Sequence, residues 1–288
     1  MIELYPSPWR NEFQNALDKV NNELYITAPF IKRAEADYVC ERLLAKNSSY
    51  EPYVRVVTNM RAESVIGGSL DMAALGIFQS RLKRCELVTL PHLHAKVYIF
   101  DDTFAVIGSA NLTRSGLDSN YEYGVGIRDT QLVGQIKTDM DSYARLGNVV
   151  SQTQLNELLQ IADELKQEFT STQRAIASSA KQRFNEKLKI ADYKFTEALV
   201  GNRTAHAIFA EAILHVLSLH GALPTKRIQP LIQQLLPDLC NDSEELIING
   251  QEFGKAWKHQ VRTSQVSLKR KGLIKLENSL WHLTTQSK

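Results

Sequence analysis

Eighteen residues, His94 to Asn111 (HAKVYIFDDTFAVIGSAN), constrain this chain more than any other stretch. The run is rich in Val, Tyr, Ile and Phe and is punctuated by Asp101-Asp102-Thr103, which predicts a β-hairpin turning about position 102. His94 and Lys96 are two residues apart, so on a strand they project from one face. Phe104 to Ile107 supplies the return strand and sets Ser109 to Asn111 opposite His94 to Lys96. Cross-strand Cβ atoms in such a pair lie about 4.5–5.5 Å apart. Gly108 ends the return strand, where a glycine permits a close approach or a special backbone angle. A nucleophile or base, a cation and two polar donors converge on one spot, which describes a phosphate site holding a reactive imidazole.

The pattern His94-x-Lys96, Asp101 after four further residues, and Gly108-Ser109-x-Asn111 after six resembles the HKD motif of the phospholipase D superfamily. It occurs once, in the single-motif form of metal-independent restriction endonucleases. The resemblance implies phosphodiester chemistry with no metal and no cofactor. His94 would attack phosphorus to give a phosphohistidine, and a second histidine would protonate the leaving oxygen and then activate water. Lys96, Ser109 and Asn111 would hold the non-bridging oxygens. Asp101 would be structural. Glu122, in Asn120-Tyr-Glu122-Tyr-Gly124, matches the downstream acid that hydrogen-bonds the nucleophilic imidazole and sets its tautomer. The resemblance needs two such histidines per site. His92, His206, His215, His220, His259 and His282 provide no second His-x-Lys, so it implies a homodimer sharing one interfacial site.

Length and composition bound the rest. At 288 residues and 43% hydrophobic, with no apolar run of membrane-spanning length, the chain reads as a soluble protein of more than one domain. No secretory signal is visible at its start, and Cys40, Cys85 and Cys240 are too scattered for a metal site or a disulfide framework. A cytoplasmic protein with reduced thiols is expected. The net charge of +2 hides an asymmetry, because residues 1–150 carry −2 and residues 201–288 carry +4.

Along the chain, Ser7-Pro8 reads as the start of a helix reaching residue 20, with Phe13, Leu17 and Val20 as its apolar stripe. Strands are expected over 24–29, 53–58, 85–90 and 121–127, and helices over 34–44, 64–82 (with a break at Gly67-Gly68) and 130–144. This alternation predicts an α/β fold with a mixed sheet flanked by helices over 1–150, the architecture that the resemblance also implies. Residues 151–200 read as a helical linker, with Leu155, Leu158, Leu159, Ala162, Leu165 and Phe169 at helix spacing and a softer stretch at 170–179.

Residues 201–288 carry the second informative pattern. Helices over 205–220, 230–236 and 253–271, then a hairpin turning at 277–279, match the plan of a winged helix. Trp257, Val261, Ser264 and Leu268 form a core stripe, with Trp257 and Trp281 as core residues. Lys258, Arg262, Gln265 and Lys269 form a face for DNA, within a segment from Phe253 to Lys275 that holds seven basic residues and no acid. The segment resembles the N-terminal winged helix of Mrr-type restriction proteins. Together the two resemblances favour an endodeoxyribonuclease acting on double-stranded DNA in restriction-modification or antiviral defence, with a helicase or methyltransferase as a further partner. A lipid or other phosphodiester hydrolase and a non-catalytic DNA-binding regulator are the alternatives. The basic C-terminal segment and the lack of a membrane-seeking stretch argue against the first. The intact motif argues against the second.

Overall fold

The computed structural model describes residues 2–45, 52–174, 178–201, 203–248 and 251–284. The chain divides into two compact units, Met1–Gly201 and Asn202–Lys288. In the first, β1 (Ile2–Pro6), α1 (Arg10–Leu17), β2 (Glu23–Thr27), α2 (Arg33–Leu44), β3 (Tyr53–Thr58), α3 (Ala62–Ile66), α4 (Met72–Arg81) and β4 (Cys85–Thr89) lead into the hairpin of β5 (Val97–Phe100) and β6 (Phe104–Gly108). β7 (Tyr123–Ile127), α5 (Thr130–Leu146), β8 (Asn148–Val149), α6 (Gln152–Arg174) and α7 (Ser178–Val200) complete it.

These strands form one mixed sheet in the order β1-β7-β6-β5-β2-β3-β4-β8. β2, β3 and β4 are parallel, and the other neighbours pair antiparallel. The central strands are apolar on both faces, as a sheet covered on both sides requires. Phe13, Val39, Leu75 and Phe78 pack on one face with the inward side of α6, where Leu155, Leu158, Ala162 and Leu165 are buried. α5 covers the other through Val133 and Met140. Arg55 ties that helix to the sheet, bridging Glu86 on β4 and Asp141 on α5. The segment 151–200 thus packs on the sheet domain through α6 and α7.

Several expectations need correction. A strand precedes the first helix: β1 pairs with β7 from Ile2↔Ile127 to Pro6↔Tyr123. α1 starts at Arg10 behind Trp9, because Ser7 is engaged elsewhere: its hydroxyl accepts the Glu122 N–H at 2.8 Å. The break expected at Gly67-Gly68 is present but wider: residues 67–71 separate α3, which starts at Ala62 rather than Ser64, from α4, and there Gly68 has φ +67° and Asp71 caps α4 by accepting the Ala73 N–H. Of the soft stretch at 170–179, residues 175–177 lie outside the described residues.

Among the described residues of the second unit, α8 (Ala205–His220), α9 (Thr225–Leu235), β9 (Glu245–Ile248), β10 (Gln251–Lys255), α10 (Ala256–Arg270), β11 (Ile274–Glu277) and β12 (Leu280–Leu283) follow in order. Gly221, at φ +72°, ends α8 and donates to the Leu217 carbonyl. α9 starts five residues before the expected Pro230, which lies inside the helix and removes one backbone donor. The third helix was expected from Phe253, but residues 251–255 pair with 245–248 as a hairpin and α10 begins at Ala256. β11 and β12 pair from Ile274↔Leu283 to Glu277↔Leu280, and Leu223 makes an isolated antiparallel bridge to Trp281. Trp257, Val261, Ser264 and Leu268 turn into the core, and so does Trp281. Gln265 does too. It is 1% exposed and accepts a hydrogen bond from Thr225, so it leaves the expected cationic face. Lys258 is half-buried, and Arg262 and Lys269 are exposed.

Candidate active site

The motif lies at the carboxyl end of the parallel strands, where open α/β sheets place their ligands. Thr27, Thr58 and Thr89 end β2, β3 and β4 and are all buried. Val97, the first residue of β5, pairs with Thr27. His94 and Lys96, expected on the strand, precede it, and of the two Lys96 still takes part in the hairpin pairing through its carbonyl. Lys96 therefore follows the face of Tyr98 and Phe100, whose rings pack in the core with Phe13. The Lys96 carbonyl accepts the Gly108 N–H at 3.1 Å, carrying the hairpin register one step past the ladder.

Lys96 is 7% exposed. Its ammonium group donates to the His94 carbonyl oxygen at 2.8 Å and stands 3.1 Å from His94 Nδ1. Burial lowers the Lys96 pKa, and the nearby Glu122 carboxylate opposes that shift. The His94 ring itself is exposed.

Asp101 occupies the hairpin turn at φ +53° and points away from the site. Its carboxylate accepts the backbone N–H groups of Asn21 (2.9 Å), Asn22 (2.8 Å) and Glu23 (3.0 Å), and its own N–H donates to the Glu23 carbonyl. Such charge-assisted bonds fasten the hairpin to the start of β2. Gly108 is needed for close approach: a Cβ there would lie 2.9 Å from the Tyr123 carbonyl oxygen of β7.

After β6 the chain turns under the site. The Tyr98 hydroxyl donates to the Ala110 carbonyl at 2.9 Å, and Ser109 donates its N–H to the Tyr123 carbonyl. Asn111 Oδ1 accepts the Phe30 N–H at 3.3 Å, joining the motif to the loop after β2, and Ile31 bridges to Leu112 beside it. Thr113 Oγ1 accepts the Gly116 N–H, and the Gly116 carbonyl accepts from Trp9 Nε1 at 3.1 Å. Glu122 lies just before β7. Its carboxylate accepts from the Ser109 hydroxyl and from Asn120 Nδ2 (3.1 Å), whereas the resemblance implied a bond to His94; within this chain the acid is held by Ser109.

Sequence reasoning missed the supports. Ser7 pins the Glu122 backbone on both its N–H and its carbonyl, and Tyr98 and Trp9 brace the turn that carries Asn111. The sequence signal for Tyr98 was its place two residues after Lys96, on the same strand face.

Residues 13–144 match the family described as cardiolipin synthase, PLD-like domain. A search of curated proteins found no match to the sequence. Among solved structures, NucT from Helicobacter pylori is similar at a TM-score of 0.41 and 14% identity, over 50% of this chain and 94% of that one. A phospholipase D family member, Nuc from Salmonella typhimurium, is similar at 0.40 and 19% identity, over 50% and 93%. The phosphatidylserine synthase of Haemophilus influenzae Rd KW20 is similar at 0.44 and 15% identity, over 66% and 47%. His94, Lys96, Ser109, Asn111 and Glu122 all lie inside the residues that match this family.

Proposed function

We propose that this protein is an endodeoxyribonuclease that cleaves phosphodiester bonds of double-stranded DNA through a phosphohistidine on His94, at a site completed by a second copy of the chain. The observation that carries the reading is the pairing of Lys96 with His94 at the head of a hairpin whose other arm delivers Ser109 and Asn111. A ring nitrogen of His94 attacks phosphorus, the bond from phosphorus to the leaving oxygen breaks, and His94 of the second copy gives that oxygen its proton. The same second histidine then takes a proton from water as the water oxygen attacks phosphorus, and the phosphorus–nitrogen bond breaks. Lys96, Ser109 and Asn111 Nδ2 donate to the phosphoryl oxygens and offset their growing charge. With lysine and amide donors supplying this stabilisation, the scheme needs no metal.

The surface beside the motif supports the second copy. Leu4, Val125 and Ile107 are in register across β1, β7 and β6, and Ile2, Leu4, Ile107 and Tyr123 on these strands, with Tyr121 just before β7, are exposed. A contiguous apolar patch of this kind marks an interaction site. The second unit supports DNA as substrate: three helices and a terminal hairpin, with Leu223 bridged to Trp281, fit a winged helix that offers Lys258, Arg262 and Lys269 to phosphates. A nuclease joined to a DNA-reading module fits restriction or antiviral defence, with a helicase or methyltransferase partner. The test is cleavage of plasmid DNA in excess EDTA by wild type and His94→Ala, with light scattering on both. The proposal expects dimers in both cases and cutting by wild type alone; cutting by His94→Ala overturns it.

A further inference from the structure

The outward face of α10 is not uniformly cationic. His259, Arg262, Thr263, Val266 and Arg270 are all exposed, and their spacing of 3, 4, 7 and 11 residues from the first places them on a single face. Lys258, Arg262 and Lys269 share a row with the buried Gln265, so this row runs along the flank of the face rather than its centre. Val266 lies at the centre, 54% exposed, with Arg262 one turn before it and Arg270 one turn after. A β-branched apolar residue in the middle of a polar helix face gains nothing from helix propensity or from burial there.

When a helix lies in the major groove, its flanks meet phosphates and its central row meets base edges. Base edges there offer hydrogen-bonding groups to polar side chains, and the apolar feature they present is the methyl group on C5 of a pyrimidine. We infer that Val266 packs against such a 5-methyl group, so the recognised duplex carries thymine or 5-methylcytosine at the position Val266 faces. The inference rests on α10 being the DNA-reading helix of the proposed nuclease. His259 and Thr263 flank the contact and read the neighbouring polar edges, while Arg262 on the flank reaches the phosphates.

The test selects duplexes from a random library with the full-length chain, carried on a His94→Ala background so that the DNA stays intact. In the selected duplex each thymine is then replaced singly by uracil, and each cytosine singly by 5-methylcytosine. Losing or gaining one methyl contact of about 0.8 kcal/mol changes affinity roughly fourfold. One position is expected at which uracil weakens binding, or 5-methylcytosine strengthens it, by about that factor, and which of the two occurs identifies the source of the methyl group. Val266→Ala is expected to abolish the difference while keeping the salt dependence of binding. If binding persists but no methyl substitution alters it, or no sequence is enriched, or Val266→Ala responds as the parent does, the methyl contact is wrong and α10 remains a DNA-binding helix. If no duplex binds at any salt concentration, the DNA-binding reading falls as well.

Discussion

The Lys96 ammonium group donates to the carbonyl oxygen of its neighbour-but-one, His94, at 2.8 Å while standing 3.1 Å from the same residue's Nδ1. One cation thus orients the backbone that presents the imidazole and stands beside the atoms that would meet phosphate.

That relationship predicts a pH dependence. Burial holds Lys96 below the ordinary lysine value of 10.5, and the charged form is the one that offsets phosphoryl charge. Activity should fall as pH rises through the lowered pKa, on the acid side of an ordinary lysine. Stability moves the other way: between the folded pKa and 10.5 the unfolded chain binds more protons, so unfolding free energy rises with pH across that window. A pH–rate profile beside a urea titration at each pH checks both signs. Lys96→Met should be inactive throughout.

Asp101 predicts a loss of stability. Asp101→Ala removes the carboxylate that accepts three backbone N–H groups at 2.8–3.0 Å and leaves them unpaired at the start of β2. Charged hydrogen bonds of this kind imply a cost of about 2–4 kcal/mol in urea unfolding, with Asp101→Asn losing less. Asn at this turn also tolerates φ > 0. A change within experimental error would remove Asp101 from its structural role.

Gly116 predicts an effect at a distance. A Cβ there would lie 2.4 Å from the Asn111 carbonyl oxygen and 3.0 Å from its nitrogen, so Gly116→Ala must shift the backbone that holds Asn111. Displacing a catalytic group by about 1 Å costs on the order of 100-fold in rate. We expect Gly116→Ala to lower kcat strongly while DNA binding by the second unit is retained, measured on the same preparation.

The flank of α10 predicts a salt dependence. Lys258→Ala, Arg262→Ala and Lys269→Ala should each weaken duplex binding and reduce the slope of log affinity against log salt by about one. Gln265→Ala should leave that slope unchanged and lower stability, because the side chain is buried against Thr225. A Gln265→Ala chain that folds normally but loses DNA affinity would contradict this orientation of the helix.

Where the sequence was readable, local chemistry and tertiary need agreed. The apolar run Tyr53–Thr58 is a strand of those bounds, and Ala205–His220, ended by Gly221, is a helix of those bounds. The motif hairpin was legible because a turn of Asp and Thr lies between two β-rich runs, fixing its register. Other features were hidden by long-range partners. Ile2–Pro6 is a strand because β7 offers an edge 117 to 125 residues later in the chain, which no local pattern announces. Ser7 has the chemistry of a helix cap but answers Glu122 instead, 115 residues away. Gln265 failed for a subtler reason: a helical row of three basic residues drew it in, although the buried stripe is wide enough to include it. The hairpin before α10 did have a local signal, the Asn249-Gly250 pair, whose own structure lies outside the described residues.

The most direct test of the central claim is covalent trapping. DNA labelled at the scissile phosphorus is mixed with enzyme, quenched within one turnover, and the chain is digested and mapped. The account predicts acid-labile, alkali-stable label on the peptide that contains His94, absent from His94→Ala and from Lys96→Met. Label on another residue, or cleavage at wild-type rate by a chain lacking His94, would contradict it.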